Sequence, residues 1–257
     1  MRTFRAYLDP ELSIQPIVGE LVELPGEEAH HLLRVLRVRM GDRIILFNGE
    51  GATWECSFVS GKGKAVSLKV ELEQILERRG PQVFLAQCLA KTKAMELLVR
   101  HATELGVSGV IPLQSAHAEV RLDQERGDKR LERLRAIAIE ACKQSGNPLL
   151  PQVFPVQDIG NWLGALGAPS PGELRMTASL EGDARPLLEH LHEACRECQS
   201  ITWLVGPEGD LSPGEYRKAR ECGFSPILLA GQVLRVETAA LYALSVTDAY
   251  FQSLELR

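Results

Sequence analysis

The sequence predicts an α/β protein: a parallel sheet covered by helices, preceded by a small β-barrel of short strands. Three observations carry that expectation. From residue 83 onward, short apolar runs alternate with longer helix-like stretches, the pattern of strands joined by crossover helices. Before residue 75 the chain holds short strand-like runs broken by glycine turns, with one helical stretch among them. Between the two, ELEQILERRGP at 71–81 is charged and ends in Gly-Pro, which sets a first domain at 1–74 and a second at 75–257.

Composition narrows the function classes. A chain of 257 residues has ample core for two ordinary domains, and its apolar and charged fractions are those of a soluble globular protein. No apolar run approaches the roughly 20 residues of a membrane span. The opening MRTFRAYLDPEL lacks the apolar stretch of an export signal. Six scattered cysteines show no disulfide-like spacing, as expected of reduced thiols in the cytoplasm. A formal net charge of −5 argues against indiscriminate nucleic-acid binding but leaves room for a local basic patch.

In the first domain, 19–24 alternates apolar and polar residues, and 43–47 is an apolar strand followed by the turn Asn48-Gly49-Glu50-Gly51. Runs at 52–59 and 65–70 continue the pattern across Ser60-Gly61-Lys62-Gly63-Lys64. A helix is predicted over 27–40, with Leu32, Leu33, Val35 and Leu36 as its buried side. His30, Arg34 and Arg37 fall at helical spacing on another face, with Arg39 and Arg43 close by. Read alone, that face is an ordinary solvated surface.

In the second domain, strands are expected at 83–89 and 110–113, and a helix at 94–105 closes at Gly106. A long helix over 123–145 ends at Gly146, with Pro148 beyond. Weaker segments at 152–156 and 158–166 precede a Gly/Pro/Ser linker, then a strand at 174–180 and a helix at 186–198. The apolar run 201–205 suits a fully covered parallel strand. It opens into Gly206-Pro207-Glu208-Gly209-Asp210, where glycines permit close backbone approach to a ligand. Ser212-Pro213-Gly214-Glu215 has the form of a capping box. A strand at 226–230 ends at Gly231 and leads to a last helix over 234–251, apolar on more than one face through Ala239, Leu241, Tyr242, Leu244 and Val246. Two strand-end loops, each followed by a helix, sit where open α/β sheets bind ligands.

Other motifs are weaker. His190, His192, Cys195 and Cys198 are metal-ligand types, yet they fall in one helix with Leu187, Leu188, Leu191 and Cys195 as its apolar stripe. No second ligand pair lies at finger spacing. No metal is expected. Gly49-x-Gly51 and Gly61-x-Gly63 lack the third glycine of a dinucleotide fingerprint, and neither a phosphate-binding GxxxxGK[ST] nor a GxSxG elbow occurs.

GPEG followed by Leu211-Ser212-x-x-Glu215, and then LLAGQVLRVETAAL, resembles the RsmE family of SPOUT methyltransferases. HHLLRVLRVRMGD, KTKAME with ATELGV, and EACKQSG agree with it in family order along nearly the whole chain. The resemblance implies a SPOUT-type parallel sheet with a C-terminal trefoil knot, an N-terminal PUA-like RNA-binding domain, and a homodimer built through the C-terminal domain. It implies methyl transfer from S-adenosylmethionine to N3 of a uridine in 16S ribosomal RNA. Implied cofactor contacts are Ser179, Leu180, Val205, Gly206, Pro207, Glu208, Gly209, Leu229, Ala230, Gly231, Val233, Leu234 and Thr238. Implied RNA contacts are Arg2, Arg5, His30, Arg34, Arg37, Arg39, Lys91 and Lys93, whose cations would meet phosphate.

Uracil N3 carries a proton and is a poor nucleophile, so the site must remove that proton or stabilise the anion that forms. Arg235, always cationic, is the choice for stabilising charge or orienting the base. Glu237 is either a base or the partner that fixes Arg235; both residues also fit a helix cap with a structural ion pair. Three positions depart from the family pattern. Ser115-Ala116-His117 stands for Ser-Glu-Arg, Asn147 for arginine, and Asp210 for the last glycine of GPEGG. The first two remove positive charge; the third is tolerable if residue 210 is left-handed. Two other readings stay open: a SPOUT enzyme acting on another RNA position, and a non-catalytic RNA-binding or assembly protein with the same fold.

Overall fold

The computed structural model describes residues 2–118, 124–193 and 198–255. By packing, the chain divides into two units, Met1–Arg78 with Ile139–Leu150, and Arg79–Ala138 with Pro151–Arg257. Among the described residues no helix is long and apolar enough to cross a membrane.

The first unit contains β1 (Thr3–Tyr7), β2 (Leu21–Pro25), α1 (Gly26–His30), a π-helical turn (His31–Val35), β3 (Arg43–Phe47), β4 (Ala52–Lys62) and β5 (Ala65–Ile75). The strands form a five-stranded sheet in the order β1-β3-β4-β5-β2, with β1 parallel to β3 and the other pairs antiparallel. Its ladder does not return to β1, so the expected barrel is an open sheet in its hydrogen bonding. Two register shifts in β4, at Glu55/Cys56 and Phe58/Ser60, bend it. The turn between β3 and β4 is built by Asn48, whose Oδ1 accepts the amides of Glu50 (2.9 Å) and Ala52 (3.1 Å). Gly51 there has φ of +103°, and a Cβ on it would lie 2.3 Å from the Leu76 carbonyl oxygen. Val22, Leu24, Ile44, Leu46, Leu68 and Val70 make the core, closed by Ala29 and Leu32.

The helix expected over 27–40 is much shorter. After α1 the Leu36 amide bonds to the His31 carbonyl five residues back, and Arg37 takes φ of +52° and ends the helix. Leu32 is buried, while Val35, expected on the buried side, is 62% exposed. The segment Ile139–Leu150 joins this unit from far along the chain. The Gly51 amide donates to the Pro148 carbonyl (3.2 Å), and the Leu150 amide to that of Gly49 (2.8 Å). Lys143, largely buried, pairs with Glu28 and Glu140.

The second unit contains β6 (Gln82–Cys88), α2 (Thr92–Glu104), β7 (Gly109–Gln114), the first part of α3 (Gln124–Ser145), β8 (Gln152–Val153) and β9 (Gln157–Asp158). It continues with α4 (Ile159–Ala165), β10 (Glu173–Ala178), β11 (Arg185–Pro186), α5 (Leu187–Glu193), β12 (Ser200–Val205), α6 (Pro213–Glu221), β13 (Ser225–Leu228) and α7 (Val236–Glu255). The sheet is parallel throughout, in the order β11-β13-β10-β12-β6-β7-β8, with β9 also on β7. Ile201, Trp203 and Leu204 of β12 are fully buried, as a strand covered on both faces requires. On one face Leu204 packs with Trp162 of α4, Tyr216 and Ala219 of α6, and Phe224. Trp203 Nε1 donates to Thr247 Oγ1 on α7 at 3.1 Å. Within the chain α7 buries one stripe (Val236, Ala240, Ala243, Leu244 and Thr247) and leaves Tyr242 exposed. In α5, Leu188 is 59% exposed and leaves the expected apolar stripe, while Cys195 lies outside the described residues.

Candidate functional site

The loop after β12 is held by side chains from three elements. From β6, the fully buried Gln87 donates its amide to the carbonyls of Cys88 (3.0 Å), Val205 (3.3 Å) and Gly206 (3.4 Å). From the loop after β7, His117 Nδ1 donates to the carbonyls of Gly209 (3.1 Å) and Asp210 (3.2 Å), and the Ala116 amide donates to Glu215 Oε1 (2.8 Å). From α6, the Tyr216 hydroxyl donates to Asp210 Oδ1 at 2.8 Å. Ser212 caps α6: its Oγ accepts the Glu215 amide, and Glu215 Oε2 accepts the Ser212 amide at 2.7 Å, completing the expected capping box. Asp210 has φ of +61°, the left-handed conformation its place required.

The two loop glycines are close-packed against other atoms of the protein. A Cβ on Gly206 would lie 3.3 Å from both the Leu211 amide nitrogen and its Cγ; on Gly209 it would lie 3.2 Å from His117 Cβ. Both positions are crowded by the loop's own packing. Gly209 is fitted against His117 and does not line the cavity described next.

A cavity of about 630 Å³ opens where the carboxyl ends of β10, β12 and β13 meet the start of α7. Of the residues expected at the cofactor, Ser179, Leu180, Val205, Gly206, Pro207, Glu208, Leu229, Ala230, Val233 and Leu234 line it, together with Arg235 and Glu237. Gly231 and Thr238 do not: Gly231 has open space around its Cα, and Thr238 is exposed on the turn of α7 that puts Glu237 and Ala239 on the lining. Lys91, expected at RNA, lines this cavity instead. Sequence reasoning did not place Ala94, Ala178, Asp210, Tyr216, Val236 and Ala239 on the lining, nor Gln87 behind it. A glutamine inside an otherwise apolar strand was the available signal for Gln87.

Arg235 precedes α7, and its carbonyl accepts the Ala239 amide at 2.8 Å, so its backbone opens the helix, and the residue lies on the cavity lining. No ion pair joins Arg235 to Glu237 among the described residues, and Glu237 stands in the first turn of α7. Burial, and then the bond to Asp210, push the Tyr216 phenol well above its usual range, so it stays a hydrogen-bond donor. Burial likewise pushes the Cys88 thiol up to about 12, which removes it as a nucleophile.

In the first unit Asp42 Oδ2 accepts the Arg39 backbone amide at 3.0 Å and lies 3.7 Å from Arg2 Nη2. His30, Arg34, Arg37 and Arg39 are exposed. Arg5 has an internal partner: its Nη1 donates to the Lys143 carbonyl at 3.1 Å. Arg43 pairs with Glu55, and Lys93 is exposed on α2.

Comparison with known proteins adds to this geometry. Residues 78–248 match a family model described as RNA methyltransferase domain, and residues 24–71 one described as RNA methyltransferase PUA domain. The chain is 30% identical over 228 residues to ribosomal RNA small subunit methyltransferase E of Bacillus subtilis, covering 86% of this chain and 87% of that one. It is 29% identical over 238 residues to the protein of the same name from Mycobacterium tuberculosis, covering 89% of this chain and 86% of the relative. A crystal structure of ribosomal RNA small subunit methyltransferase E from Neisseria gonorrhoeae bound to S-adenosyl methionine superimposes with a TM-score of 0.84 at 27% identity, covering 97% of this chain and 98% of that one. A methyltransferase from Legionella pneumophila in complex with bound SAM has the same TM-score, 0.84, at 28% identity and the same coverage, 97% and 98%.

Proposed function

The chain belongs to the ribosomal RNA small subunit methyltransferase E family, and on that premise we propose that it methylates N3 of a uridine in 16S ribosomal RNA, with S-adenosylmethionine as donor. The observation that carries this reading is the cavity at the strand ends. Its volume of about 630 Å³ suits a cofactor of this size. Its donor set fits as well: Leu180, Leu229 and Val233 offer apolar walls to an adenine, loop backbone offers polar partners, and Glu208 and Glu237 offer anions to a cation.

Bound there, S-adenosylmethionine supplies a methyl carbon made electrophilic by a positively charged sulfur. Backbone groups of Ser179, Leu180, Gly206, Pro207, Glu208 and of 229–234 would hold it. Arg235, with no carboxylate partner among the described residues, stabilises the negative charge that develops on the uracil ring as N3 loses its proton. Glu237, also on the cavity lining, would take that proton, leaving N3 free to accept the methyl group as the carbon–sulfur bond breaks and the neutral thioether S-adenosylhomocysteine departs. The PUA domain holds RNA phosphates with Arg2, His30, Arg34, Arg37 and Arg39, and Lys93 of the second unit is a further exposed cation.

The same reading includes a C-terminal trefoil knot of SPOUT type. Its support is the path of the chain: from β12 it passes beyond β10 to β13, then returns so that α7 packs on α2, β12 and β6. It includes a cytoplasmic homodimer using the outer face of α7, on which Tyr242 is 42% exposed. Light scattering at micromolar concentration is expected to give twice the chain mass, and a monomer mass counts against the dimer.

The test of function is in vitro methylation of 16S ribosomal RNA and of assembled small subunits, followed by mass mapping. A methyl group on uracil N3 is expected. A methylated ribose hydroxyl would assign another RNA position, and cofactor binding without methyl transfer would assign a non-catalytic role.

A further inference from the structure

Two polar residues on the cavity lining, Asp210 and Tyr216, have no part in the reading above. Tyr216 is 4% exposed, and its hydroxyl donates to Asp210 Oδ1 at 2.8 Å. The same oxygen accepts the Leu211 amide at 2.8 Å. Asp210 occupies, at φ of +61°, the position that is glycine in the family pattern. Glycine takes that conformation freely and leaves it as freely; an aspartate there is uncommon and is retained when its side chain finds partners. Here it finds two, one of them on the helix that follows the loop.

The loop's other attachments lie elsewhere. Gln87 holds its root through the Val205 and Gly206 carbonyls, and His117 holds the Gly209 and Asp210 carbonyls from outside the cavity lining. The Asp210–Tyr216 bond is the attachment made by two side chains that both line the cavity.

We propose that Asp210 is a positioning residue for the cofactor, which through Tyr216 ties the turn 206–210 to α6 in the shape that receives S-adenosylmethionine. A loop already fixed gives up less freedom when its ligand arrives, so the pair acts on cofactor affinity more than on the chemical step. The proposal rests on the cavity being the cofactor site.

Calorimetric titration of the full chain with S-adenosylmethionine tests it, using wild type, Asp210→Gly, Tyr216→Phe, the double variant and Asp210→Asn. Each of the first two variants is expected to raise Kd about tenfold, the scale of one hydrogen bond to a charged group. The double variant is expected to lose less than the product of the two single losses, because the bond the two residues share is lost either way. Asp210→Asn keeps an acceptor and tolerates the left-handed turn, so it is expected to recover most of the affinity. In turnover assays the loss is expected in KM for the cofactor rather than in kcat. Tyr216→Phe removes one oxygen and keeps the ring packing, so the comparison survives if Asp210→Gly unsettles the fold. Wild-type affinity in both singles, losses that multiply in the double, or Asp210→Asn as weak as Asp210→Gly would overturn the proposal. A wild-type chain that binds no S-adenosylmethionine overturns the cavity reading itself, a result distinct from tight wild-type binding with insensitive variants.

Discussion

The side-chain amide of Gln87 donates to the carbonyl of Gly206 at 3.4 Å, from a strand more than a hundred residues earlier in the chain. Its other amide bonds go to Cys88 and Val205, so the point where β12 becomes the cavity loop is held from the neighbouring strand. Gln87→Leu keeps the volume and removes the donor. Because Gln87 Oε1 is itself buried without a partner, leucine also removes an unsatisfied acceptor. The expected destabilisation is therefore small, about 1 kcal/mol by urea denaturation. Cofactor affinity is expected to fall further than that stability loss accounts for; an unchanged Kd would show that the loop keeps its shape unaided.

Arg235 and Gly209 separate chemistry from loop packing. Arg235→Ala is expected to lower turnover by on the order of 100-fold, as loss of a charge acting in the transition state does. Its cofactor Kd should move little, since backbone groups hold the cofactor. Gly209→Ala places a methyl against His117 Cβ at 3.2 Å, so its first effect falls on the fit of those two loops. Single-turnover rates with saturating cofactor distinguish them: wild-type rates in Arg235→Ala would make Arg235 structural.

The arginines of the first unit divide the same way. Arg34→Ala with Arg37→Gly removes two exposed cations, and glycine suits the φ of +52° at position 37. RNA affinity is expected to drop, and the slope of log K against log salt to flatten by about one for each phosphate that is no longer neutralised. Arg5→Ala is expected instead to lower stability, because its guanidinium is bonded to the Lys143 carbonyl. Filter binding across a salt series, set beside thermal melts, checks both.

Glu173 forms an acid-sensitive ion pair. Its burial raises the carboxyl pKa, but the bond to Arg175 (2.6 Å) and the Ser170 amide outweigh it, so the net shift is below the ordinary 4.5. A carboxyl depressed on folding contributes stability that is present above 4.5 and lost as pH falls through the lower folded value. Arg175 is buried and also donates to the carbonyls of Gly167 and Cys222, both at 2.8 Å. Glu173→Gln is therefore expected to be less stable than wild type at neutral pH and to lose less on acidification. Denaturation curves between neutral pH and the acid range measure it; parallel curves for both proteins would remove Glu173 from the acid response.

What the sequence made legible was local or came with the motif. The capping box of Ser212 and Glu215 spans three residues, the strand at 43–47 has the predicted ends, and the φ of Asp210 follows from where the family has glycine. The cavity lining was legible because strand-end loops carry it. The surroundings of Gln87 and Gly209 were not legible for one shared cause: the partner is distant in the chain. Nothing near Gly209 says that His117, 92 positions away, fills the space a Cβ would need. A glycine reports that a side chain is excluded, not what excludes it. The helix at 27–40 failed for another reason, since the period of 3.6 assumed for it is broken at once by a π turn.

The return of Ile139–Leu150 to the first unit means that folding order and gene order cannot be the same here. As the chain leaves a ribosome, residues 1–78 emerge without the segment that supplies Lys143 to Glu28 and the Pro148 carbonyl to Gly51. The N-terminal unit must wait, incomplete, through the synthesis of some sixty further residues. A truncation at 78 is thus a different object from the unit it is meant to isolate, and a graft of this module onto another enzyme must carry the twelve-residue returning segment along with it.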